Sequence, residues 1–99
     1  MAEGDGQVSE LTTRTAIVRA LRRAGAWTIV TTGVAQAGAP DLLVCYLGRF
    51  IALEVKADKG GRVSPQQSLM LRKIEAAGGT AQVVRSVDEA LKALIPPAP

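Results

Sequence analysis

Apolar and polar residues follow two periods along this chain, one helical and one alternating. From Ser9 to Ala24 apolar positions recur every three or four residues, which predicts a helix that stops at Gly25. A second helix begins at Ser64, where proline follows at the first helical position and Gln67 completes a capping box. Ser86 opens another capping box before a short last helix that runs to about residue 94. The helical period therefore predicts three helices.

The alternating segments predict four strands, because they are rich in β-branched and apolar residues over four to seven positions. Gly48-Arg49 separates the second strand from the third and predicts a two-residue hairpin turn of type II′. The order α-β-β-β-α-β-α predicts a mixed sheet flanked by helices in one α/β domain over residues 9–95. Residues 1–8 and 96–99 are predicted to be flexible tails, and residues 33–39 a mobile loop. The predicted strands cover residues 27–32, 41–47, 50–56 and 81–84.

Composition excludes several kinds of site. The 99 residues include no histidine and one cysteine, which rules out a Cys/His zinc site, a His-assisted nucleophile and a disulfide framework. Three aromatic residues are few for a protein that binds single strands by stacking. The net charge is +3, and neither a signal peptide nor an apolar run near the roughly 20 residues of a membrane span is visible. We expect a soluble, intracellular protein.

The predicted hairpin brings charged residues together. A turn at Gly48-Arg49 places Asp41 opposite Lys56, and Glu54 lies on the same face because side chains two apart share a face. Two close carboxylates favour a hard cation such as Mg²⁺ or Mn²⁺, and a nearby lysine can offset charge on a reacting phosphate. An isolated Glu-x-Lys is most often a pair of ordinary strand residues, but an aspartate in matching register favours a site.

These residues stand in motifs that resemble the VRR-NUC nucleases, the virus-type replication-repair branch of the PD-(D/E)XK superfamily. The resemblance extends from Glu10 to about Leu94 and implies an αβββαβ core like that of restriction endonucleases, here with an extra C-terminal helix. The matching segments are Gly38–Val44, Gly48–Phe50, Glu54–Lys56, Gly61–Gln67, Ala77–Gly79 and Val83–Ser86.

The resemblance implies a role for each motif residue. Asp41 and Glu54 resemble the metal-binding acids, and Lys56 resembles the catalytic lysine. Val55 occupies the variable position, whose carbonyl oxygen commonly ligates metal in such enzymes. The implied cofactor is Mg²⁺, with Mn²⁺ as a substitute.

Two further residues have an alternative explanation. Gln67 resembles a catalytic glutamine of the family, and its other explanation is the capping box. Glu10 resembles the acid on the first helix that completes many such sites, and its other explanation is a first-turn glutamate favoured by the helix dipole. Both alternatives stay open on the sequence alone.

Basic residues are candidates for phosphate contacts, although helix arginines equally often form a solvated face. Lys59 and Arg62 are the best of them, because they lie on the loop after the Glu-x-Lys strand. We expect Trp27 to pack in the core and Cys45 to be a small buried residue. The other candidates are Arg14, Arg22, Arg72 and Lys73.

The leading hypothesis is a Mg²⁺-dependent, structure-selective endonuclease that hydrolyses branched or flapped DNA in replication, repair or recombination. The alternatives are a non-catalytic nucleic-acid-binding module on the same fold and a nuclease like a Holliday-junction resolvase. The small size and the resemblance suggest a homodimer or higher homo-oligomer in the cytoplasm of a bacterial or phage-infected cell.

Overall fold

The computed structural model describes residues 9–32 and 36–98, and its elements follow the predicted order. The four strands form one sheet in the order β1-β2-β3-β4. The first three strands are antiparallel, whereas β4 runs parallel to β3 after the crossover through α2. The predicted mixed α/β sheet is therefore confirmed. The elements are α1 (Glu10–Arg23), β1 (Trp27–Val30), β2 (Leu42–Tyr46), β3 (Arg49–Val55), α2 (Pro65–Ala76), β4 (Thr80–Val84) and α3 (Val87–Ala93).

Serine side chains start all three helices. Ser9, Ser64 and Ser86 each accept a hydrogen bond from the backbone amide three residues later. The reciprocal half of the predicted capping box forms at α2 but not at α3. There the Glu89 carboxylate instead accepts from the amide of Arg85, one residue before the cap (2.8 Å).

One face of the sheet forms the core. Helices α1 and α3 cover this face, and the even-numbered residues of β2 and the odd-numbered residues of β3 point into it. The other face is covered only in part, because α2 packs on β3 and β4. The core includes Ile17, Leu21, Leu42, Val44, Ile51, Leu53, Val55, Val84, Ala90 and Ala93.

The half of the second face that β1 and β2 form is open, and this overturns two expectations. Trp27 is 59% exposed rather than buried in the core, and Cys45 is also exposed. They are paired neighbours on this face, and Phe50 lies beside Cys45 in the same row. Because no helix of the described chain covers the β1–β2 half, an apolar side chain there stays in contact with solvent. We call Trp27, Ile29, Leu43 and Cys45 of this half, together with the adjacent Phe50 at the start of β3, the open face.

The hairpin turn differs from the predicted one. Tyr46 pairs with Arg49, so the two turn residues are Leu47 and Gly48. Both have positive φ, 50° and 79°, as a type I′ turn requires. The predicted type II′ turn at Gly48-Arg49 was thus one residue too late.

The acidic residues still lie on the predicted face of the sheet although the turn is shifted. Moving a two-residue turn by one position changes every partner by two residues, and residues two apart share a face. Leu42 pairs with Leu53, so the next step of the register sets Asp41 opposite Glu54 rather than Lys56. The two carboxylates are therefore directly opposed.

Some sequence predictions fall at the limits of the described chain. The predicted tail 1–8 and residues 33–35 of the predicted loop lie outside the described residues, as does residue 99 of the second tail. Residues 96–98 belong to no helix or strand and are exposed. Within the described chain, no helix has both the length and the apolar character needed to cross a bilayer.

Candidate active site

The start of β2 and the end of β3 meet at one end of the sheet and carry the acidic residues. Asp41 immediately precedes β2, and its Oδ2 accepts a hydrogen bond from the Val55 amide (2.9 Å). Glu54 is the penultimate residue of β3, and Lys56 follows that strand. The structure therefore brings Asp41, Glu54 and Lys56 together, as the alternation in the sequence predicted.

Glu54 lies almost entirely out of solvent, with 2% of its surface exposed. Its Oε2 accepts from Gln67 Nε2 (2.9 Å) and lies 3.4 Å from Lys56 Nζ. Its Oε1 is buried and has no hydrogen-bond partner among the described residues. Burial and the charge of Asp41 raise the pKa of Glu54 from its ordinary value of 4.5 to about 7, although Lys56 opposes this shift.

Gln67 closes the predicted capping box and also contacts Glu54, which the sequence did not indicate. Its Oε1 accepts from the Ser64 amide (2.9 Å), which closes the capping box of α2. Its Nε2 donates to Glu54 at the same time. The start of α2 thus fixes one oxygen of a buried carboxylate in the site.

The donor set fits a hard divalent cation. Glu54 Oε1 is a buried oxygen without a donor, and a bound cation would satisfy it and offset the repulsion from Asp41. Within residues 9–32 and 36–98, no three acidic or cysteine side chains come together as a metal cluster, so Glu10 does not join the pair. The side-chain ligands available are the two carboxylates, and the Val55 carbonyl stays a ligand predicted from the resemblance.

Comparison with known proteins identifies the family. The model of the VRR-NUC domain matches residues 6–88, which is most of the chain. This chain belongs to the VRR-NUC family. A solved structure described as a VRR-NUC domain superposes with a TM-score of 0.72, over 86% of this chain and 94% of its own, at 23% identity. A search of curated proteins gave no match.

The family assignment agrees with the sequence resemblance and with the fold. VRR-NUC is a nuclease-type domain, so the chain is a member of a nuclease family. Because the matched structure is only 23% identical to this chain, its superposition supports a shared fold alone.

The sequence alone did not identify one residue that supports the site of this VRR-NUC domain. Thr31 follows β1 and is buried, with 8% of its surface exposed. Its amide donates to the Asp41 carbonyl (2.9 Å), and its hydroxyl donates to the Pro40 carbonyl. These bonds hold the backbone that carries Asp41. A threonine at the end of a predicted strand gives little sequence signal for such a role.

Arg85 is the second such residue, and it organises the loop after Lys56. Its guanidinium donates to the carbonyls of Ala57 and Gly61, at 2.8 Å each, and so joins both ends of this loop. Gly61 packs so closely that an added Cβ would lie 3.0 Å from Lys56 Cβ. In the sequence, Arg85 stood out only as part of the matched segment Val83–Ser86. That segment did not indicate its contact with Gly61, 24 residues earlier.

The candidate phosphate-binding residues of the domain lie on the loop after Lys56, on α2 and on α1. Lys59 and Arg62 are exposed on the loop that Arg85 joins. Arg72 and Lys73 are exposed in the second half of α2, where Arg72 also donates to Ser68 (2.8 Å). Arg14 and Arg22 lie on α1, against the other face of the sheet.

Proposed function

We propose that this protein is a Mg²⁺-dependent endonuclease that hydrolyses phosphodiester bonds in branched or flapped DNA. The observation that carries the proposal is the buried Glu54 Oε1, which has no hydrogen-bond partner among the described residues and lies beside a second carboxylate and a lysine. A folded chain gains no stability from such an arrangement, so it favours a functional explanation.

Each residue of the site has its own role in the proposed reaction. Asp41, Glu54 and the Val55 carbonyl would hold Mg²⁺, or Mn²⁺ in its place, which when bound polarises a phosphate and makes water more acidic. The ammonium of Lys56 contributes a fixed positive charge that offsets the charge growing on the phosphate oxygens and orients the attacking water. Gln67 keeps Glu54 in one orientation through its hydrogen bond to Oε2. No covalent intermediate is needed.

The surface around the site suits a nucleic acid. Between residues 10 and 63 the sequence has eight basic and four acidic residues, and three of those acids are Glu10, Asp41 and Glu54. Lys59 and Arg62 extend from the loop beside Lys56 and would contact phosphates next to the cleaved bond.

The open face suits a second copy of the chain. Trp27, Phe50 and Ile29 are 59%, 47% and 38% exposed, and the open face contains no charged side chain. Such a surface offers nothing to a phosphate backbone and fits another apolar protein surface. We therefore include a homodimer in the proposal, which gives a small domain two sites for a two-stranded substrate.

Cleavage of a panel of DNA structures tests the function. Labelled flapped, splayed, three-way, four-way and linear DNA is incubated with the full chain, with Mg²⁺ or with EDTA. The expected result is cleavage of a branched or flapped member with Mg²⁺ only. Preferential cleavage of the four-way junction would indicate a resolvase-like enzyme, and binding without cleavage would indicate a binding module.

Asp41→Asn is the most informative variant, because asparagine keeps an acceptor for the Val55 amide and removes the charge. It should lower the cleavage rate at least about 100-fold with little change in melting temperature. Lys56→Met should do the same. Activity that survives both substitutions would refute the proposed mechanism.

A further inference from the structure

A groove with a volume of about 450 Å³ runs between α1 and the edge strand β1. It lies on the side of the sheet opposite the candidate active site, since α1 covers the core face. Three arginines line it around an apolar floor. These lining residues are Arg14, Arg19 and Arg22, with Leu11, Val18 and Val30 between them.

The charge of the molecule is concentrated beside this groove. Residues 9–32 contain four arginines and one glutamate, so this segment alone accounts for a net charge equal to that of the whole chain, +3. No acidic residue lines the groove in the described part of the chain. The occupant that complements it is therefore an anion with charges at several points.

The groove leads away from the active-site end of the sheet. At one end Leu11 lies near Val30, and the next residue, Thr31, bonds to the Asp41 carbonyl. At the other end Arg22 Nη2 donates to the Thr28 carbonyl (3.0 Å). Because the groove and Asp41 lie on opposite faces of the sheet, a DNA arm held at Asp41 would pass around the β1 edge to reach α1.

The spacing of the arginines matches a polymer of phosphates. Arg14 and Arg22 are eight residues apart, which is about 12 Å along a helix. One strand of duplex DNA advances about 3.4 Å per phosphate along its axis, so the row spans about three or four phosphates. The apolar floor provides contact for the hydrocarbon faces of the sugars.

A peptide strand fits this place less well. An added strand would pair with the free edge of β1 and would need the outward Thr28 carbonyl as an acceptor. The guanidinium of Arg22 already occupies that oxygen. This hydrogen bond disfavours strand addition at the edge, and Arg14 and Arg19 line the groove without such a contact to the strand.

We propose that this α1–β1 groove binds the sugar–phosphate backbone of a DNA arm that extends away from the cleaved bond. The proposal rests on the proposed function, since it assigns the nuclease a second contact with the same substrate. Arg14 and Arg19 are its main contacts, and Arg22 both lines the groove and caps the strand edge.

Binding without cleavage tests this assignment. Fluorescence anisotropy of labelled flapped DNA is measured with the full chain in EDTA, from about 50 to about 200 mM salt. The test variants are Arg14→Gln, Arg19→Gln and their combination. Arg23→Gln is the matched control, because it makes the same charge change in the same helix but does not line the groove. Arg22 is left intact because of its bond to Thr28.

Each lost phosphate contact should lower the slope of log affinity against log salt by about 0.9, so the double variant should lose nearly two. Its affinity at the lowest salt should fall at least about tenfold, and Arg23→Gln should keep the wild-type slope. A wild-type slope in the double variant, or an equal loss in Arg23→Gln, would overturn the groove assignment.

The two proposals can fail separately. A wild-type protein that neither binds nor cleaves any DNA of the panel overturns the proposed function and the groove with it. A wild-type protein that cleaves branched DNA, while the double variant binds as well as wild type, overturns the groove alone.

Discussion

Glu54 combines burial, a like charge and a lysine in one position. Burial and Asp41 oppose its ionisation, whereas Lys56 favours it, and the resulting pKa is about 7. The metal-free side chain therefore holds its proton to a higher pH than an ordinary glutamate does. A divalent cation at this place would favour the charged form, so metal binding and the charge of Glu54 should be coupled.

The stability of the metal-free protein should decrease as pH rises between about 4.5 and 7. The folded protein holds the Glu54 proton up to about pH 7, whereas the unfolded chain releases it near 4.5, so the stabilisation is full below 4.5 and lost above 7. Urea unfolding in EDTA at pH 5 and pH 8 measures this difference in the free energy of unfolding. Glu54→Gln should show a smaller loss between these two pH values than wild type.

Mg²⁺ should raise the melting temperature of the wild-type protein more at pH 8 than at pH 5.5, because only ionised Glu54 binds it well. Glu54→Gln should show little of this stabilisation at either pH. Equal stabilisation of both proteins at pH 8 would mean that Glu54 is not a ligand.

Ser64→Ala and Gln67→Ala separate the two contacts of Gln67. Each variant breaks the capping box and should lower the free energy of unfolding by about 1 kcal/mol. Only Gln67→Ala removes the hydrogen bond to Glu54, so it alone should reduce the cleavage rate, by about tenfold. Equal cleavage rates in the two variants would mean that Gln67 acts only as part of the capping box.

The identity of the central residues could be predicted from the sequence, whereas the exposure of others could not. Asp41, Glu54 and Lys56 follow strand alternation, which is local. Trp27 and Cys45 were predicted to be buried because they are apolar, yet their burial depends on where α2 packs. Helix placement over half of a sheet is decided by tertiary contacts that the local pattern does not contain.

At the scale of elements, the β2–β3 hairpin shows why turn position is hard to predict. A single glycine suits the first position of a type II′ turn or the second position of a type I′ turn. The sequence fits both, and the structure uses the second, with Leu47 in the left-handed region at φ 50°. That conformation is unfavourable for leucine, and the side chain is 83% exposed.

Leu47→Asn should therefore stabilise the protein by about 1 kcal/mol. Asparagine tolerates the left-handed region, and Asn-Gly is the preferred pair for this turn. Little packing is lost because Leu47 is largely exposed. Chemical denaturation measures the change, and a destabilised variant would contradict the assigned turn type.

The loop between β3 and α2 is a second element whose position depends on a distant residue. Arg85→Gln should release its two ends, because glutamine cannot reach both the Ala57 and Gly61 carbonyls. Amide hydrogen exchange in residues 57–61 should become about tenfold faster, with exchange in β1 unchanged. Arg72→Gln, which loses only a contact within α2, serves as the control. Unchanged exchange in Arg85→Gln would show that the loop is held by other contacts.

At the scale of the molecule, the two faces of the sheet serve different purposes. The core face is covered by α1 and α3 except at the β1 edge, where Val30 is 39% exposed, and the second face is shared between α2, the candidate active site and the open face. The α/β class and the element order follow from the sequence because each element has its own periodicity and cap. The half-covered sheet does not follow, since it results from the relative lengths and packing of α2 and the strands.

Trp27→Lys tests the proposed homodimer. Light scattering should show a dimer for wild type and a monomer for the variant, with similar melting temperatures, because Trp27 contributes little to the core. Ile95→Lys is the matched control, since Ile95 is 66% exposed but outside the open face. A wild-type protein that is monomeric at assay concentration would contradict the dimer, and so would a Trp27→Lys variant that remains dimeric.

The opposed pair of Asp41 and Glu54 limits how this hairpin can vary during evolution. A single inserted or deleted residue in either strand would send one carboxylate into the core, because side chains alternate between faces. Insertions balanced between β2 and β3 would keep the two acids opposed while lengthening the hairpin. Length differences among functional relatives should therefore be even between these two acids, unless the added residue lies in the turn or a β-bulge restores the alternation.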